Sequence, residues 1–180
     1  KDKKRIIFLR KKAGKNLIQN IKSLNLTSRE GTIEYPLEAI KYLKNIAKKI
    51  NKFDGALLAF DYGYTINENR NTLQSVKKHK YIDFFSKPSH SDITSHINFK
   101  LFNEILNKNK LDVKKIIHQG EFLKKIGILE RADILSTKMT FKEKANMFYR
   151  LKRLLNPREM GNLFKVIFAQ KKGKNFSLGF

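Results

Sequence analysis

The chain has no cysteine, so neither disulfides nor thiolate metal sites are open to it. No apolar stretch approaches the roughly 18 residues of a membrane-spanning helix. The Lys-rich start is followed only by Ile6, Ile7, Phe8 and Leu9, too short a run for a secretory signal. Glycine is sparse and scattered, and its two closest copies, Gly173 and Gly179, stand too far apart for a G-x-G-x-x-G fingerprint or a Walker loop. No phosphate cradle of either type is therefore visible. No serine sits in a G-x-S-x-G elbow, which leaves a serine-based triad without a nucleophile. Arginine is scarce as well, with 8 copies against 31 of lysine.

That scarcity decides how the net charge of +23 is read. Lys and Arg release counterions when they neutralise phosphates, so such an excess first looks like a nucleic-acid footprint. Arg, however, is the bidentate reader of bases and phosphates. Here the Lys is spread through every segment beside abundant Asn, Ile and Phe. All four are encoded by A/T-rich codons, so a genome-wide base bias accounts for much of the excess without an acidic partner. This argues against nucleic acid. A non-catalytic basic module that binds nucleic acid or an acidic protein stands as the alternative reading.

What is present is organised around Gly55 to Gly63, GALLAFDYG. The apolar run Ala56 to Phe60 predicts a strand buried on both faces of an α/β sheet, with Asp61-Tyr62-Gly63 as the turn at its carboxyl end. Open α/β sheets place ligands at that end. Arg5 to Arg10 predicts an earlier strand, followed by a turn at Ala13 to Asn16; Asn16 to Arg29 is polar and ambiguous. A helix is expected to start near Pro36, carrying Leu37, Ile40, Leu43, Ile46, Ala47 and Ile50 on one face. Tyr64 to Ser95 has no clear period and reads as a long loop.

Asn98 is a plausible N-cap for a short helix through Leu106. Leu111 to His118 predicts another strand, Gln119-Gly120-Glu121 a turn leaving it, and Glu121 to Leu155 helices in pieces. Thr140 and Glu143 have the spacing of a capping box, and Ala145, Phe148, Leu151 and Leu155 form a stripe that reads as core. Leu163 to Ala169 predicts a last strand, and the tail 171–180 reads as basic and frayed.

The candidate site is the set of polar residues at the ends of these strands. Asp61 and Tyr62 follow one strand, Gln119 and Glu121 another, and His79, Asp92, Thr94 and His96 lie between them in sequence. An Asp, Glu or His there suits a base beside a reacting nitrogen or oxygen; capping and loop stitching is the structural alternative for each. His79, His90, His96 and His118 match no metal-ligand spacing, so no metal is expected.

Four blocks, GALLAFDYG, NTLQSVKKHKYIDFFSKPSHSDITSHINF, HQGEFLKKIGILERA and MGNLFKVI, stand in the order found in the MidA-like methyltransferase family. Residues from about Glu30 to Gln170 resemble the carboxyl-terminal half of that family, which includes the mitochondrial complex I assembly factor. The resemblance implies an α/β fold: the C-terminal part of a class I, Rossmann-like methyltransferase sheet, with a helical insertion between its last two strands, the last one antiparallel. It also implies S-adenosylmethionine as methyl donor and a protein arginine, in a complex I subunit, as acceptor. The setting would be bacterial cytoplasm or the mitochondrial matrix.

The family's cofactor loop and ribose-holding acid have no counterpart here. With a first residue that is Lys rather than Met, that leads to the expectation that residues 1–180 are the distal part of a longer protein and inactive alone. Under this reading Asp61 and Tyr62 are the catalytic candidates. His79, Asp92, Thr94, His96, Gln119 and Glu121 are the substrate-binding ones, with no cofactor-binding residue in the segment.

Overall fold

The computed structural model describes residues 9–26, 30–66, 69–78, 80–83 and 91–180. They fall into two compact units, Lys1–Tyr35 with Asn67–His96, and Pro36–Ile66 with Ile97–Phe180. In chain order the elements begin α1 (Lys15–Ser23), α2 (Leu37–Phe53), β1 (Ala56–Tyr64), β2 (Gln74–Lys77), β3 (Lys80–Ile82), β4 (Asp92–Thr94) and β5 (Ile97–Asn98). They continue α3 (Phe99–Lys108), β6 (Leu111–Val113), β7 (Ile117–His118), α4 (Gln119–Lys125), α5 (Ile128–Ser136), α6 (Phe141–Leu155), α7 (Met160–Leu163) and β8 (Phe164–Lys171).

The larger unit is built on a mixed sheet ordered β5-β1-β8-β6, with β7 following β6 along the same edge of β8. β8 runs antiparallel to β1, β6 and β7, and β5 joins β1 in parallel. Alternation along β8 divides its side chains between two faces. Val166 joins Ile117 and Phe122 on one face, with Leu123 and Phe180 packed against them. On α2, Ile40, Leu43, Ala47 and Ile50 recur at three- and four-residue steps and are all buried. On α3, Phe99, Leu101, Ile105 and Leu106 are buried. Each of these leucine, isoleucine and phenylalanine side chains, fully buried, contributes about 1.5–3 kcal/mol, and the Ala47 methyl under about 1 kcal/mol.

The predicted start of α2 at Pro36, the Asn98 cap and the capping box are all present. The Asn98 side chain accepts from Leu101 N at 3.0 Å, and Thr140 N donates to the Glu143 carboxylate at 2.8 Å. The insertion expected between the last two strands is α4 to α7. Several predicted boundaries are corrected. β1 does not end at Phe60 but continues through Asp61, Tyr62 and Gly63, because β8 pairs with it as far as Tyr62. Nor is it buried on both faces, since Ala56, Leu58 and Phe60 are exposed.

The strand expected from Leu111 to His118 is broken into β6 and β7, and Lys114 N donates to Phe168 O between them. Gln119-Gly120-Glu121 is the first turn of α4 rather than a loop. The stripe on α6 is core only at Leu151, with Ala145 and Phe148 exposed. Residues 15–23, where a turn and an ambiguous stretch were expected, form α1. Of the predicted strand Arg5 to Arg10, residues 5–8 lie outside the described residues, and Leu9 and Arg10 are not in a strand.

The tail is not frayed. Gln170, 2 % exposed on β8, donates from Nε2 to Asp112 Oδ2 at 3.1 Å and to Lys174 O at 3.0 Å. Phe176 then stacks on Phe168, and Phe180 on Phe168 and Phe122. Lys174 and Lys171 also bind Asp54, at 2.5 and 3.5 Å.

In the smaller unit, the stretch expected as a long loop contains an antiparallel sheet ordered β3-β2-β4. Its strands are short, and Lys77-Lys78-His79-Lys80 hides their alternation from a composition-based reading. Its loops are stitched by Glu34, whose carboxylate accepts from Thr72 N at 2.7 Å and Thr72 Oγ1 at 2.6 Å.

Candidate functional site

Asp61 sits on β1 directly across from Lys165 on β8, and Lys165 stands across from His118 on β7. Directly opposed residues share a face, so Asp61, Lys165 and His118 form one row over three strands. Asp61 and His118 are thus two strand spacings apart, about 10 Å. The carboxyl-terminal ends of β1 and β7 both lie along β8. They are separated by β8 rather than adjacent.

Within the row, Asp61 is half-buried, and its Oδ1 accepts from Tyr62 N at 2.8 Å. The second carboxylate oxygen has no protein donor among the described residues. Lys165 is only 9 % exposed, and its ammonium donates to Asn162 O at 2.5 Å and to Leu163 O at 3.2 Å. A buried cation is costly unless such acceptors hold it. The same Asn162 carbonyl lies 3.1 Å from His118 Nδ1, so imidazole and ammonium meet at one acceptor. On the opposite face Tyr62 packs edge-on to Phe164, ring centroids 5.7 Å apart.

Lys165 and His118 were missed as site residues. The signal was available: Lys165 is the one charge inside the apolar run LFKVIFA. Gly63 also has a definite task. A Cβ there would strike the carbonyl of Ile97, so only glycine lets β5 close on the end of β1.

The other expected residues divide by role. Gln119 is 6 % exposed and its amide donates to Leu154 O at 3.1 Å, which locks α4 to the end of α6. Glu121 is paired with Lys125 at 2.9 Å, one helical turn on. Asp92, Thr94 and His96 belong to the smaller unit. Thr94 Oγ1 accepts from Gln74 Nε2 at 3.1 Å, His96 N donates to Thr72 Oγ1 at 2.9 Å, and Asp92 is exposed on β4. His79 lies outside the described residues. Among the described residues, no three His, Asp or Glu side chains gather as metal ligands, and no helix is long and apolar enough to cross a membrane.

Residues 3–117 match the model of a protein family described as "Putative S-adenosyl-L-methionine-dependent methyltransferase". The chain belongs to this family. Two crystal structures of proteins of one superfamily from Burkholderia thailandensis align with it. One, solved with S-adenosyl-homocysteine bound, has a TM-score of 0.77 at 24% identity, covering 99% of this chain and 47% of that one. The other has a TM-score of 0.66 at 27% identity, covering 78% and 38%. They establish the Rossmann-like methyltransferase fold for this sheet.

Among curated proteins, the mitochondrial protein arginine methyltransferase NDUFAF7 of Xenopus tropicalis is 28% identical over 134 residues. The Drosophila melanogaster homolog is 26% identical over 136. The chain spans about a third of these relatives' length, 31% in both cases.

The family's methyl donor is S-adenosylmethionine, and the described residues do not form a holder for it. Gly31, Gly63, Gly120, Gly161 and Gly179 are each closed off by the chain's own backbone or rings, while Gly14 and Gly173 face open space. β7 runs straight into α4 with Gly120 in the helix's first turn, the arrangement that receives such ligands, but there Gly120 is closed off by Leu155 O.

Proposed function

We propose that the intact protein methylates a protein arginine, in a respiratory complex I subunit, and that this segment supplies the acceptor side of the cleft while the donor is held elsewhere in the protein. The observation that carries this reading is Asp61. It is a half-buried carboxylate toward the carboxyl end of its strand, with one oxygen that has no donor among the described residues, in a chain whose relatives are named protein arginine methyltransferases. A carboxylate there can grip a guanidinium through charge-assisted hydrogen bonds and fix the attacking nitrogen. It can also take the proton that nitrogen sheds as it is alkylated, which a guanidine of high pKa requires. Tyr62, expected beside Asp61 as a second catalytic residue, is turned to the opposite face of the sheet against Phe164 and takes no part in this reading. Asp92, Thr94 and His96, in the smaller unit, and His79 are the residues proposed to bind peptide substrate.

In the intact protein, Asp61→Asn preserves the acceptor for Tyr62 N and removes the charge. Methyl transfer to arginine, followed by mass spectrometry of the acceptor, is expected to fall by roughly 10²-fold or more, the scale of general-base effects, with donor affinity nearly unchanged. Near-normal turnover would return Asp61 to a purely structural role. The 180-residue chain alone is expected to show no tight S-adenosylmethionine binding by calorimetry; low-micromolar affinity would mean that the donor site has been misplaced.

A further inference from the structure

The helical insertion carries a feature that the sheet chemistry does not use. Between α5 and α6 lies a groove of about 550 Å³, open along its length. From α5 it is lined by Ile128, Ala132 and Leu135, and from α6 by Met147, Leu151 and Leu154. These positions repeat at three- and four-residue steps on both helices, so two apolar stripes face one another without filling the space between them. Three charged residues stand along it: Arg131, Glu143 and Arg150. Glu143 is already committed, since its carboxylate accepts from Thr140 N and Thr140 Oγ1, both at 2.8 Å. The guanidinium groups of Arg131 and Arg150 have neither ion pair nor hydrogen bond among the described residues. Met and Arg are the residue types enriched in the centre of protein interfaces, the first because it repacks, the second because its planar fork grips carboxylates.

We propose that this groove is the docking site for an amphipathic helix of a partner protein, with an apolar stripe seated between α5 and α6 and Asp or Glu on its flanks meeting Arg131 and Arg150. The lining on α6 runs from Glu143 to Leu154, about 16 Å at the helical rise. That is the reach of three turns. The charge pattern decides the occupant. A second copy of this strongly basic chain would bring the same uncompensated arginines against these, and an open trough gives an acyl chain no enclosure. The inference goes beyond methyl transfer and does not depend on which residue is methylated.

The test selects binders to the intact protein from a displayed library of three-turn helices with a fixed apolar stripe, in which flanking positions vary among Asp, Glu, Lys and Ser. Acidic flanks are expected to be enriched. The selected peptides should lose roughly tenfold or more in affinity on Arg131→Glu/Arg150→Glu, a change that keeps good helix formers in place and is checked by circular dichroism. Lys-flanked versions of the same peptides should recover binding to that variant. Ala132→Trp, which fills the floor, should block both. Equal binding to both proteins, enrichment of basic or non-helical sequences, or failure to enrich any helix would overturn the proposal. So would finding the groove filled by dodecanoate, or by a second copy in sedimentation.

Discussion

β8 and β1 are hydrogen-bonded to each other over seven residue pairs and are both rich in apolar residues, yet they live in different surroundings. β8 has β1 on one side and β6 and β7 on the other, and its six central residues, Lys165 to Gln170, are all buried. β1 has β8 on one side and, on the other, only the two-residue contact with β5 at Gly63 and Tyr64. From Ala56 to Tyr62 its outer edge has no partner among the described residues, and Ala56, Leu58 and Phe60 are exposed. The same kind of sequence therefore buys very different stability according to how many neighbours it has.

The comparison is broken or sharpened first by truncating one residue from each strand. Ile167→Ala, at a position 1 % exposed, is expected to cost about 2–5 kcal/mol, whereas Leu58→Ala, 47 % exposed, should cost less than about 1 kcal/mol, as urea unfolding of each variant would measure. Comparable costs would mean that the Leu58 face is covered in solution. Next in size is Gly63→Ala, which drives a methyl group into the Ile97 carbonyl. A loss of about 1–3 kcal/mol is expected, with hydrogen exchange accelerated at Tyr64 and Asn98 but not along β8. An unchanged protein would show that β5 is not held against β1.

The smallest effect is that of acid. The Gln170 amide and then Lys114 hold Asp112 below the ordinary aspartate range. The Lys174 ammonium does the same for Asp54, and the Thr140 amide and hydroxyl hold Glu143 below the glutamate range. A carboxylate whose folded pKa is depressed contributes stability that is present above its unfolded value and lost as the pH falls through the folded one. Stability should therefore decline below the ordinary values of 3.8 for Asp and 4.5 for Glu, and Asp112→Asn should flatten the decline. A melting temperature insensitive to pH in that range would show that the tail clamp and the α6 cap are not held by charge.

How much of this was legible varies with the range of the forces involved. Helix signals are local, so Pro36, Asn98 and the Thr140–Glu143 box marked their helices correctly. The order of elements and the antiparallel last strand were also readable, because four blocks carry them. Burial was not. GALLAF and LFKVIFA look alike as strings, and only pairing decides which one is central. The same limit moved Asp61 from a turn into a strand: Asp is a poor strand former, and the pairing Asp61↔Lys165 overrides that preference. Lys165 and His118 were passed over because their meeting point is a backbone carbonyl, that of Asn162, to which no sequence pattern points.

The closure of Gly63 on Ile97 and Tyr64 on Asn98 also fixes where the chain departs from the sheet and where it returns. The chain leaves the sheet at the end of β1 and returns to it at β5, the parallel neighbour of that same end. Closing a loop costs only about 0.6 kcal/mol more for each doubling of its length. A change of length next to these two ends therefore costs the closure little while Gly63 and Asn98 hold it, whereas the interior of the excursion is bound to Glu34 through Thr72 and is not free to be exchanged.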